Sequence, residues 1–130
     1  MFGFSAFFGR SREVRRLDDA LRDAGLHPNL MPDAVKIALL KLLKEAGHGA
    51  SPAPEACAEA AGMLAYCMLG DHGFGVENGT ARARSLKARL EAALDAGDSF
   101  DARLVLLTLH AGLTQGALAD RYQLQASEEA

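Results

Sequence analysis

Tryptophan is absent from this chain of 130 residues, tyrosine occurs twice, and valine and isoleucine together number five. Strands favour β-branched and aromatic side chains, so there is little here from which to build a sheet. Cysteine occurs only at Cys57 and Cys67. If both lie on one helix, their ten-residue separation places the Cα atoms about 15 Å apart, far beyond the reach of a disulfide. Two free thiols and no secretory signal point to a reducing cytoplasm. The longest uncharged helical run falls short of the roughly 18 to 20 residues that cross a bilayer, and no transmembrane span is expected.

Strong charge of either sign is also missing. The formal net charge is -3, from 14 Lys and Arg against 17 Asp and Glu, too mild to mark a nucleic-acid binder. No Lys or Arg occurs between Lys44 and Arg82, after which Arg82, Arg84, Lys87 and Arg89 arrive together. Surface helices carry such clusters routinely, and a solvated face is expected of this one.

What the chain does have is 25 alanines and 20 leucines, residues that lose little freedom in a helix. The length suits one domain with one core. Between Glu59 and Asp71 no residue is charged, and the run Ala-Ala-Gly-Met-Leu-Ala-Tyr-Cys-Met-Leu is apolar on every side. A helix without a wet face belongs inside something. The expected fold is therefore all-α, a compact bundle of five to six helices in one domain over residues 1–130, wrapped around a buried central helix at about 55–70.

The remaining helices follow from periodicity and punctuation. Val14, Leu17 and Leu21 predict a first helix that stops at Gly25. Pro32 and Asp33 suit the first turn of a second, with Val35, Leu39, Leu42 and Leu43 buried, Lys36, Lys41 and Lys44 wet, and Gly47 as the stop. After the central helix, residues 70–79 hold four glycines and are expected to form a mobile connection. A phosphate cradle there would need a preceding strand and a P-loop Lys, which are missing, and Asp71 and Glu77 would repel the anion. Ala83, Leu86, Leu90, Ala93 and Leu94 predict a fourth helix up to Gly97. Asp98 is the expected N-cap of a fifth, with Asp101 completing a capping-box variant and Phe100, Leu104, Leu107 and Ala111 facing inward. The tight junction makes these two a helical hairpin. A short helix through Leu124 and a disordered tail at 125–130 complete the expectation.

Four histidines, His27, His48, His72 and His110, are scattered without a second His or Cys one helical turn away, so no metal site is expected. Burial of the two cysteines would raise their pKa and make them inert, and no histidine neighbours them in sequence. No catalytic residue and no cofactor is expected. Leu113-Thr-Gln-Gly-Ala-Leu-Ala-Asp-Arg-Tyr122 resembles the first helix of a helix-turn-helix of the phage-repressor kind, which would imply DNA binding. The resemblance covers about ten residues. Gln123 to Ala130 offer too few residues and two glutamates where a basic recognition helix should follow, so nucleic acid is not the expected partner.

The beginning of the chain is the strongest functional signal. Phe2, Phe4, Phe7 and Phe8 are four of its six phenylalanines, and Arg10, Arg12, Arg15 and Arg16 follow directly. So many exposed aromatics are unusual on a monomer. They either pack in the domain's own core, or anchor in a groove of a second copy or another protein. A minor reading lays them on a membrane surface with the arginines on anionic lipid. Phe4, Phe7, Phe8, Arg12 and Arg16 are the candidate interaction residues. The expected role is a small cytoplasmic, non-catalytic protein-protein interaction or regulatory module, acting as a homodimer. A binder of a small apolar ligand in a pocket near Gly62, Met63 and Met68, or a peripheral membrane protein, is the alternative.

Overall fold

The charge-free run is buried from Ala60 to Cys67 without a break, and the rest of the fold is laid around it. The computed structural model describes residues 12–48 and 52–125. In chain order these form α1 (Arg12–Asp23), a 3₁₀ turn (Pro28–Leu30), α2 (Asp33–Leu43) with a wide terminal turn (Lys44–His48), α3 (Pro54–Asn78), α4 (Thr80–Ala96), α5 (Phe100–His110) and α6 (Gly116–Tyr122). Each of the other five helices packs on α3, and α2 also bridges α1 and α5. Met63, Leu64, Ala65 and Tyr66 are fully buried, against Leu17, Leu39, Leu86, Leu90 and Leu104 from the surrounding helices. The all-α bundle around a central helix is the observed fold. The Phe-rich segment 1–9 and the tail from 126 onward lie outside the described residues.

The central helix does not end at Gly70. Its backbone breaks there, at φ 80° and ψ 178°, and becomes helical again as far as Asn78. Residues 70–79, expected as a mobile connection, are thus mostly the second half of α3. Glycine content lowers helix propensity, but tertiary contacts override it here. Phe74 is buried and meets the Tyr66 ring edge-on, with centroids 5.7 Å apart. The Asn78 amide donates to the carbonyl of Ala24 at 2.8 Å and ties this half to the end of α1. Gly70 is needed twice over. Its φ lies where side chains are strained, and a Cβ would sit 2.8 Å from the Gln115 side-chain oxygen.

Lys36 also departs from its expected place. Instead of lying on the wet side it is buried, with Nζ 2.9 Å from Asp18 Oδ1 and the two side chains 3% and 12% exposed. The face that α2 turns inward comprises Val35, Lys36, Leu39, Leu40 and Leu43, so it is rotated from the expected stripe and Leu42 is only half-buried. A lysine can occupy such a face because α1 supplies the opposite charge opposite it. The pair gains Coulomb energy in a low dielectric and loses solvation, which makes it costly to break on one side.

The α4–α5 hairpin forms as expected, with Gly97 left-handed at φ 75°. Its capping differs. Ser99, not Asp98, is the N-cap of α5, its Oγ accepting from the Ala102 amide at 3.1 Å. Asp101 is taken by Arg89, whose Nε and Nη2 donate to the two carboxylate oxygens at 3.1 and 2.8 Å, while Nη1 reaches Glu59 at 2.8 Å. Arg89 therefore leaves the expected solvated cluster and joins α4 to α3 and α5. Ala111, expected inward, is exposed.

Two stability measurements test this architecture. Leu64→Ala, at a site with no exposure, is expected to lower the unfolding free energy by about 2–5 kcal/mol in urea titration. Lys36→Ala, which takes the buried ammonium away from the Asp18 carboxylate, is expected to cost roughly 3–5 kcal/mol, and the double change Asp18→Leu with Lys36→Met should recover most of that.

Candidate interaction surface

α5 carries the run Leu104-Val-Leu-Leu-Thr-Leu109, too apolar for a helix with one inner face. At 100° per residue, Leu104, Val105 and Thr108 share an arc and are buried, which turns Leu106 to the opposite side. Leu106 is 47% exposed. The same geometry on α2, where Val35, Lys36 and Leu39 face the core, turns Ile37 outward, and it is 61% exposed. Where α2 and α5 lie side by side they enclose a groove of about 400 Å³. Ala38, Leu42, Leu106 and Leu107 form its apolar lining, and Lys41, Glu45, Arg103 and His110 its charged and polar rim. An apolar floor within a polar rim is the anatomy of a protein contact surface. Composition held one clue to it: the surplus of leucines on α5 beyond what a single buried stripe can use.

Of the candidate residues taken from the sequence, Arg12 and Arg16 lie on α1. Phe4, Phe7 and Phe8 lie outside the described residues. Arg12 is exposed in the first turn of α1. Arg16 is half-buried, its Nη1 donating to the carbonyl of Pro52 at 2.8 Å, so it fastens the approach to α3 onto α1. Around the expected ligand pocket, Gly62 and Met63 are buried in the core and Met68 is half-buried.

A second group of polar side chains gathers where α3 breaks. The Tyr66 hydroxyl donates to Asp71 Oδ1, and Arg121 Nη1 lies 2.5 Å from the other carboxylate oxygen. The Tyr122 hydroxyl donates to Glu91 at 2.5 Å, under the Arg121 guanidinium, which stands 5.6 Å from the ring centroid. The Gln115 amide donates to the Cys67 carbonyl at 2.8 Å, beside the break, and its side chain accepts from the Leu118 amide. Together these bonds, with buried Leu118, dock α6 on α3. The segment that resembles the start of a helix-turn-helix is thus committed to the bundle.

Protonation states follow from these surroundings. Burial, joined by the Asp71 hydrogen bond and charge, pushes the Tyr66 phenol well above its ordinary value. For Asp71, burial acts upward, but hydrogen bonds from Tyr66 and Arg121 and the charges of Arg121 and Lys87 outweigh it and hold the carboxyl low. Neither group changes protonation near neutral pH, so the pair positions α6 and is not poised to exchange protons. Burial pushes the Cys67 thiol up to about 12 despite a hydrogen bond with Thr108, and burial also raises Cys57 against the opposing charge of Arg16. Both remain thiols, the unreactive form. Among the described residues no three His, Cys, Asp or Glu gather as a metal site, and no helix is long and apolar enough to cross a membrane.

Comparison with known protein families, curated proteins and solved structures found no match for the chain.

The depressed Asp71 pKa fixes the sign of a pH effect. A carboxyl whose folded value lies below its ordinary 3.8 contributes stability that is complete above that pH and is lost as pH falls through the folded value. Asp71→Asn is therefore expected to lower the urea midpoint at neutral pH. The gap from the parent protein should close on acidification below 3.8, and an unchanged gap would remove Asp71 from this role.

Proposed function

We propose that the chain is a small, non-catalytic interaction module that works as a homodimer in the cytoplasm, with the α2–α5 groove as its contact surface. The observation that carries this reading is Leu106 at 47% exposure over an apolar groove, with Ile37 at 61% on the adjoining face of α2. Both side chains are turned outward by the same helical geometry that fills the core, and covering them is favourable at roughly 25 cal/mol per Å² of apolar surface removed from water. A groove between two rigid helices is held in shape before a partner arrives, which limits the ordering cost of association.

A second reading draws on the same feature. A volume of about 400 Å³ falls within the range of small-molecule sites, roughly 300 to 1,000 Å³, and would suit a small apolar ligand. Ligand sites bury most of their occupant, whereas this one opens along the protein surface between α2 and α5, which favours an extended protein segment.

Leu106→Glu tests the proposal with little disturbance of the core. The parent chain is expected to run as a dimer by light scattering on a sizing column and the variant as a monomer, with equal helicity by circular dichroism. A variant that stays dimeric would remove the groove from the interface. A small molecule that co-purifies with the parent in native mass spectrometry, and not with the variant, would establish the second reading instead.

A further inference from the structure

We infer that α6 is a strap. It opens as a unit about a hinge at residues 112–115 while α1 to α5 stay folded, independently of what occupies the α2–α5 groove, and it uncovers a seat where α3 breaks.

Little of α6 lies inside the bundle. From Ala111 to Gln125 Leu118 alone is buried, and it is the one residue that α6 gives to the buried cluster, with Leu113, Tyr122 and Leu124 lying partly against it. α5, by contrast, places Ala102, Leu104, Val105 and Thr108 inside. Local openings are drawn from the parts of a fold with few buried apolar contacts. The polar fastenings are at the rim: Arg121 and Asp71 are 42% and 34% exposed, and the bond from Tyr122 to Glu91 is exposed as well. Water competes for both partners of such pairs, so they contribute little.

The joint between α5 and α6 is built so that one can leave the other intact. α5 closes on itself, the amides of Gly112 and Leu113 returning to the carbonyls of Leu109 and Thr108 at 3.1 and 2.9 Å. Gly112 is left-handed there at φ 73°, which is the Schellman arrangement that satisfies the last carbonyls of a helix. α6 caps its own start, the Gln115 side chain accepting from the Leu118 amide. Parting the chain at Thr114 therefore leaves the end of α5 sealed, and the bond from Tyr66 to Asp71 survives because both belong to α3.

Released α6 does not persist as a helix. It has seven residues, and isolated helices shorter than about 12–15 residues are marginal in water. Undocking and melting are one event, so the strap has two states. Gln115, Leu118, Arg121 and Tyr122 stand at i, i+3, i+6 and i+7, on one face of α6. Lifting that face bares the place of Leu118 together with the Cys67 carbonyl, the Asp71 carboxylate and Glu91, an apolar seat with acceptors around it.

Amide hydrogen exchange by NMR on the full chain, in urea below the unfolding transition, is the test. The amide of Gln115 bonds to Cys67 on α3, that of Leu118 to the Gln115 side chain and that of Ala119 to the Gln115 carbonyl, so the three report on the strap, and the amide of Leu64 reports on the core. The three should exchange through one shared opening, faster than Leu64, and with little dependence on urea, because that dependence scales with the surface exposed. Leu39→Ala, at a fully buried site on α2, weakens the closed and open states alike. It should speed exchange at Leu64 by roughly thirtyfold or more and leave the three strap amides unchanged. Leu118→Ala weakens only the closed state and should speed the strap amides by roughly thirtyfold or more. The urea series on the parent chain makes the same separation if Leu39→Ala does not fold. Strap amides that exchange at the rate of Leu64 and accelerate with it would overturn the inference, since α6 would then unfold only with the whole chain. So would exchange at Leu118 and Ala119 while Gln115 keeps the rate of Leu64, which is fraying from the end of the helix.

Discussion

A helix with no wet face can exist in water only if other elements surround it, and that requirement organises this protein. Residues 60–67 of α3 are all buried, and their small side chains, Ala60, Ala61, Gly62 and Ala65 among them, allow neighbours to approach closely. Among the described residues, five helices supply the cover. Each contributes leucines to a single cluster, and the hydrophobic term gathered there is what offsets the conformational entropy of ordering the chain.

Around that cluster, ion pairs and hydrogen bonds join one element to another. Lys36 meets Asp18 across α1 and α2, Arg89 joins α4 to Asp101 of α5 and Glu59 of α3, and Tyr66 and Arg121 share Asp71. These bonds are directional where hydrophobic burial is not, and a lost partner leaves a desolvated group behind. They select one arrangement of helices among the many that would bury similar area. The break at Gly70 belongs to the same logic. By interrupting α3 it allows the Gln115 amide to bond the Cys67 carbonyl, and α6 docks there.

The outer surface of α2 and α5 follows from what the core leaves over. α5 has more leucines than its inner arc can accommodate, and Leu106 is the one turned fully away. A groove with such a residue at its edge is costly to leave open to water and useful to a partner. In the proposed assembly a second copy covers it.

Much of this was legible in the residues alone. Helical class, the buried central helix, the α4–α5 hairpin and the boundaries of most helices depend on propensity, periodicity and punctuation, which act over a few residues and need no partner. The misreadings share a cause. Residues 70–79 looked like a loop because their glycines disfavour helix locally, and tertiary contacts, Phe74 on Tyr66 and Asn78 on Ala24 among them, hold them helical. Lys36 looked wet because an isolated lysine is, and Asp18 is eighteen positions away in the chain. Asp101 looked like a cap until Arg89 claimed it. The groove was invisible because it belongs to two helices far apart in sequence. Local chemistry settled which segments are helices and which faces are apolar. Only the tertiary structure decided which charges are paired, where α3 bends and which leucines remain uncovered, because those depend on distances between residues that sequence separation does not encode.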